Sequence, residues 1–135
     1  MNKFPTNADL GLLMIRVMLG VVGVFHGAQK LFGLWGGHGI RGTAGFMESL
    51  GLPAPTLAAI AAGSAEFFGG LMVALGLFSR IAALFFAFTM FVAVALVHRG
   101  SFASPDGMEY PLTLGVVLLA LAVAGPGKYA ITKKI

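Results

Sequence analysis

Five residues in this 135-residue chain have types and spacings suited to joint chemistry: His26, Lys30, Glu66, His98 and Glu109. His26 and Lys30 stand one helical turn apart, while the other three belong to separate segments. Histidines and carboxylates hold and move protons, and a lysine donates to carbonyls and anions. Two histidines and two carboxylates also match a transition metal such as iron or zinc. Here, however, they come from four segments without a ligand spacing of the HExxH kind, and Lys30 repels a cation, so no metal is expected. The set better suits hydrogen bonding to a polar head: a quinone carbonyl, an anion or a lipid headgroup. The simpler role for His26 is a plain helix–helix hydrogen bond. Phe25, Phe32, Phe67 and Phe68 would offer an aromatic slot for a ring, although phenylalanines in apolar helices more often pack or face lipid.

The elements that position these residues follow from the solvent. Mean hydropathy is +0.92, 58% of residues are hydrophobic and only 10% are charged, against about 25% charged in a soluble domain. So little charge cannot cover a water-facing surface, and apolar runs near the span length of roughly 20 residues make the bilayer the solvent. The fold class is therefore all-α: a polytopic membrane protein built as a four-helix transmembrane bundle in a single domain, residues 1–135, with spans about 8–32, 56–78, 80–97 and 110–124. The net charge of +4 is scattered singly at helix ends, so no nucleic-acid partner is expected. The absence of cysteine excludes disulfides, thiolate metal sites and dithiol redox chemistry within the chain. The first apolar run is too long for a signal peptide and lacks an A-x-A site, so the first helix is expected to stay.

Asn7 or Asp9 would cap that helix. Gly20, Gly23 and Gly27 share one of its faces, a small-residue stripe with a GxxxG pair that admits a close partner helix, in the same chain or in a homodimer. Between Gly33 and Pro55, the glycine-rich run LWGGHGIRGTAGFMESLGLPAP is too irregular to cross lipid. It reads as an outer loop with a short amphipathic helix from Thr43 to Leu50, presenting Phe46, Met47 and Leu50 together. Residues 98–109 form a second polar loop, and the basic tail KYAITKKI is expected to need no folded structure. Lys3, Arg80, Lys128, Lys133 and Lys134 fall on one side, and Lys30, Arg41 and Arg99 on the other. The positive-inside rule then puts both termini in the cytoplasm.

With that orientation, one residue from each span reaches the outer half of the bundle. Cα–Cβ bonds tilt toward a helix's own N-terminus, so Glu66 leans outward from mid-span. His26 and Lys30 end the first span there, His98 ends the third, and Glu109 begins the fourth. Arg16 lies below the midplane: a structural or lipid-facing charge that snorkels to phosphate or bonds to Glu66 or Thr89.

The runs HGAQKLFG (26–33), GTAGFMESLGLPAP (42–55), EFFGGLMVALGLFSR (66–80) and EYPLTL…GPGKY (109–129) resemble, in order and over almost the whole chain, the DoxX family of small bacterial and archaeal membrane proteins. The resemblance implies a four-helix transmembrane bundle in the plasma (inner) membrane. It marks Arg16, His26, Lys30, Gly33, Gly45, Phe46, Pro53, Glu66, Gly70, Gly76, Arg80, Glu109, Pro111, Gly125 and Pro126. It further implies a terminal-oxidase or thiosulfate:quinone oxidoreductase context, or a membrane-associated response to oxidative stress.

Two functions of different class follow. The first is a membrane subunit of an oxidoreductase system, in which His26, Lys30 and Glu66, near His98 and Glu109, bind or protonate a quinone-like head. Electrons would come from a soluble or membrane redox partner, since the sequence has no redox-cofactor motif of its own. The second is a non-enzymatic lipid or small-molecule carrier, or a membrane anchor or assembly factor for a partner protein.

Overall fold

The computed structural model describes residues 7–103 and 105–133, so Lys3 and Lys134 of the cation count lie outside the described residues. Within them the chain is all-α, with five helices and no strand: α1 (Ala8–Phe32), α2 (Gly39–Ser49), α3 (Pro55–Leu75), α4 (Ser79–Leu96) and α5 (Glu109–Ala124). Three of them, α1, α3 and α4, are long and apolar enough to cross a membrane, and α5 is apolar but 16 residues long. Large apolar side chains such as Met14, Phe85, Phe88 and Val123 stand outward. A surface of that kind is untenable in water and ordinary against lipid.

Local chemistry sets the helix ends. The Asn7 side chain accepts from the Leu10 N–H at 3.0 Å, and Gly33 closes α1 in the left-handed conformation at φ +67°. Pro55 occupies the first turn of α3, where its missing N–H is no loss. α3 stops three residues before the expected end because Gly76, at φ +70°, turns the chain into α4. α2 begins at Gly39, four residues before the expected Thr43.

The glycine stripe of α1 is spent inside the chain, and so is not free for a second copy. α1 and α3 pack antiparallel at closest range: Gly20 faces Ala74, Gly23 faces Gly70 and Gly27 faces Phe67. A Cβ at Gly23 would come within 2.6 Å of the Glu66 carbonyl oxygen and 2.9 Å of the Gly70 Cα, so only glycine permits this approach. On the other side, Phe86, Ala83 and Leu118 fill the core shared by α4 and α5.

The far end of α3 reveals the role of Arg16. A helix leaves its last carbonyls unpaired, and in lipid each must find a donor. Leu77 N–H donates to Met72 O at 2.8 Å and Gly76 N–H to Val73 O at 3.1 Å. Arg16 Nη1 donates to Ala74 O at 3.0 Å and reaches Val73 O at 3.5 Å. The Ile131 and Thr132 N–H groups take Leu75 O and Gly76 O at 3.3 and 2.9 Å. Arg16 is thus fully buried (0% exposed) rather than lipid-facing, and bonded to the α3 carbonyls through Nη1, not to Glu66 or Thr89, while its Nε and Nη2 are buried without a partner among the described residues. Thr89 donates within its own helix, to Phe85 O. Likewise Arg80 Nη1 donates to Ala122 O at 3.1 Å, at the end of α5.

The tail, expected to need no structure, instead supplies two of these donors and buries Ala130 against Gly76, while Lys128 N–H donates to the Asp9 carboxylate at 2.9 Å. Those bonds bring residues 128–132, the start of α1 and the α3–α4 turn to one end of the molecule.

Candidate functional site

The antiparallel register of α1 and α3 builds the centre of the site. Lys30 lies against Gly63, one turn from Glu66. Each side chain leans toward its own N-terminus, and in antiparallel helices those directions converge. Lys30 Nζ and Glu66 Oε2 meet at 2.8 Å, the carboxylate 2% exposed and the lysine 29%. The second polar pair joins α1 to α5, with His26 Nε2 hydrogen-bonded to the Tyr110 hydroxyl at 3.3 Å. The phenol donates when Nε2 carries no proton.

Both pairs line a cavity of about 370 Å³ that is otherwise apolar, with Val22, Phe86, Met90 and Leu114 among its walls. α2 lies over it. Phe46, Met47 and Leu50 all line the cavity, and the Thr43 hydroxyl reaches Lys30 O at 3.5 Å. A second cavity of about 300 Å³, lined by Gln29, Gly36, Gly37 and His38, shares Lys30, Thr43 and Phe46 with the first. Lys30 therefore stands between an apolar chamber and a more polar one.

His26, Lys30, Glu66 and His98 line the larger cavity together. His98, past the end of α4, is held through Nδ1 at 2.8 Å from Asp106 O. Glu109 is the exception. It opens α5 on the exposed side, and because successive residues are about 100° apart around a helix, its neighbour Tyr110 takes the cavity face. Tyr110 is the polar residue that the sequence reading missed; it stands in the quoted EYPLTL run, but nothing in its spacing sets it beside His26. The aromatic slot also differs from expectation. Phe25 stacks on Trp35 with centroids 5.3 Å apart and touches the His26 ring edge-on at 5.4 Å. Phe32, Phe67 and Phe68 form an edge-to-face chain outside the cavity, and the aromatics inside it are Phe46, Phe86 and Tyr110.

In chemical terms, the site offers a cation, a carboxylate, an imidazole and a phenol at the edges of an apolar chamber. Such a place can orient a flat polar head, and exchange protons with it, away from bulk water.

A family model described as DoxX matches residues 11–99. The chain is 34% identical to the candidate oxidoreductase CatD of Bacillus subtilis, over 90% of this chain and 83% of that protein. It is 30% identical to the inner membrane protein YphA of Escherichia coli, over 91% of this chain and 89% of the relative. A second Escherichia coli inner membrane protein, YqjF, is 29% identical over 93% and 92%. No solved structure gives a significant match. The quoted motifs, the apolar helices and these matches agree: the chain belongs to the DoxX family of membrane proteins.

Proposed function

We propose that the protein is the membrane subunit of a quinone-linked oxidoreductase system and binds the quinone head in the larger cavity. The observation that carries this is two hydrogen-bonded polar pairs, Lys30–Glu66 and His26–Tyr110, facing one apolar chamber. The residues fit such a head: Lys30 and Tyr110 supply donors for ring carbonyls, Phe86 and Met90 supply apolar wall, and about 370 Å³ lies within the range of small-molecule sites. When bound, a quinone accepts electron pairs together with protons. Glu66 and His26, at the chamber wall, are the groups placed to relay those protons, and a partner protein supplies the electrons. The name of the relative CatD supports the reaction class.

In the membrane, α1, α3, α4 and α5 are the four spans, α2 covers the outer end, and both termini are cytoplasmic. Supporting this, residues 128–132, the start of α1 and the α3–α4 turn share one end. Arg80, Lys128 and Lys133 belong to that end, and two relatives are inner membrane proteins. α5 is roughly 24 Å long at 1.5 Å per residue, and local bilayer thinning accommodates so short a span.

Two measurements test these assignments. Purified protein titrated with a tailless ubiquinone analogue should show a rising unfolding midpoint. Glu66→Gln should abolish the shift and any co-purified quinone. Wild-type protein that carries no quinone and shows no shift overturns the proposal, and co-purified phospholipid in its place would favour a lipid carrier. For the topology, single cysteines at Ser101→Cys and Lys133→Cys should react with an impermeant maleimide from opposite sides of the membrane. Reaction from the same side rules out four spans.

A further inference from the structure

The larger cavity has unlike ends. His26, Lys30, Glu66 and Tyr110 make one side polar. It is also bounded by Phe46, Leu50 and Leu52, on α2 and just after it, and by Val92, Leu96 and Val97, at the end of α4. α2 packs on α3 and α1, and α4 on α3 and α5, but α2 and α4 share no comparable packing among the described residues. The two elements wall the same cavity without closing on each other. Phe46, Leu96 and Val97 are exposed at this seam. The polar lining residues of these elements are already engaged: Thr43 with Lys30 O, Thr89 with Phe85 O and His98, through Nδ1, with Asp106 O.

We infer that the ligand is a long-tailed amphiphile and that its hydrocarbon tail leaves the protein through the seam between α2 and α4. The inference rests on assigning the cavity to a polar head, and adds which molecules carry that head and how they reach it. A chamber of about 370 Å³ sits near the lower limit for small-molecule sites, so it has room for a head and none for a long chain as well. The tail must therefore pass outward. A rim of exposed aliphatic and aromatic side chains accepts methylene groups, whereas the mouth of a site for a water-soluble ligand would hold polar groups that stay hydrated. The seam makes the membrane the reservoir: the ligand arrives sideways from the lipid, head first, and the Lys30–Glu66 and His26–Tyr110 pairs arrest it. A soluble metabolite, lacking a tail, would leave this apolar rim uncovered.

The experiment is a tail-length series on the intact protein in one detergent: a tailless ubiquinone ring analogue, its decyl derivative and a two-isoprene derivative. Binding is read from the shift in unfolding midpoint for wild type, Ala93→Trp, Leu52→Trp and the control Phe88→Trp on the outer surface. The quantity compared is the ratio of tailed to tailless affinity, each in terms of free ligand, and comparing that ratio between proteins in the same detergent cancels partitioning. In wild type the ratio should be at least about tenfold, since each buried methylene contributes favourably. It should fall below about threefold in Ala93→Trp, on α4 beside Val92 in the cavity lining, and in Leu52→Trp on the facing side, and stay at the wild-type value in Phe88→Trp. An unchanged ratio in both seam variants overturns the tail route while leaving the head site standing. Failure of the tailless ring to bind wild type overturns both. The two seam variants lie on different elements, so if one does not fold the other decides.

Discussion

Arg16→Met lowers the stability of the folded protein by about 2 kcal/mol, read as a fall in unfolding midpoint in mild detergent. The guanidinium holds Ala74 O at 3.0 Å and Val73 O at 3.5 Å in a pocket closed to solvent, and each buried acceptor left without a donor costs about 1–3 kcal/mol. Gly76 N–H still serves Val73 O, so most of the loss falls at Ala74. The cation also sits at the negative end of the α3 dipole, an interaction methionine cannot replace. Both contacts come from Nη1 alone, so Arg16→Lys recovers about half, limited by the reach of a differently shaped side chain to Ala74 O. Insertion moves the other way: without a charge in its first half, α1 enters the bilayer more easily. Improved insertion with impaired folding is the signature of a tertiary cap. An arginine that merely snorkelled to phosphate would be replaced by lysine at no cost. Because Arg16 lies outside the cavity, the surviving folded protein should bind the quinone analogue as wild type does.

What the sequence revealed, and what it concealed, divides along one line. Features that depend on one helix and its period were legible: the extent of α1, the glycine stripe and the His26–Lys30 face. The convergence of Lys30 with Glu66 was legible as well, because it needs only antiparallel spans and the lean of side chains toward helix N-termini. Features that depend on relative depth were not. Arg16 finds the α3 carbonyls because Gly76 ends that helix at Leu75, and a shift of one turn would have set the guanidinium against the helix side. The tail reads as a short basic run, and its residues 131–132 are held because the end of α3 presents carbonyls that lipid cannot serve. Tyr110 and Glu109 differ by one position, and a helix start uncertain by one residue cannot say which of them faces inward.

The same dependence on register makes the Lys30–Glu66 pair the sharpest test of whether structure and binding can be separated. Lys30→Met strands a carboxylate that is 2% exposed, and breaking a buried ion pair from one side costs about 3–5 kcal/mol. Glu66→Gln costs less, because Lys30 is 29% exposed and borders the second, more polar cavity, where its ammonium can be solvated. The double variant Lys30→Met/Glu66→Gln should return close to wild-type stability, since an uncharged pair of similar volume avoids desolvating two charges. Unfolding midpoints of the four proteins close the cycle, and the coupling should be positive and about 2 kcal/mol or more. Binding of the tailless quinone analogue should follow a different pattern, lost in both single variants and still lost in the restored double. Stability that returns without binding assigns the charges to the ligand, because a purely architectural pair would restore both together. A double variant that binds like wild type would reduce Lys30 and Glu66 to a brace between α1 and α3, leaving His26 and Tyr110 to hold the head.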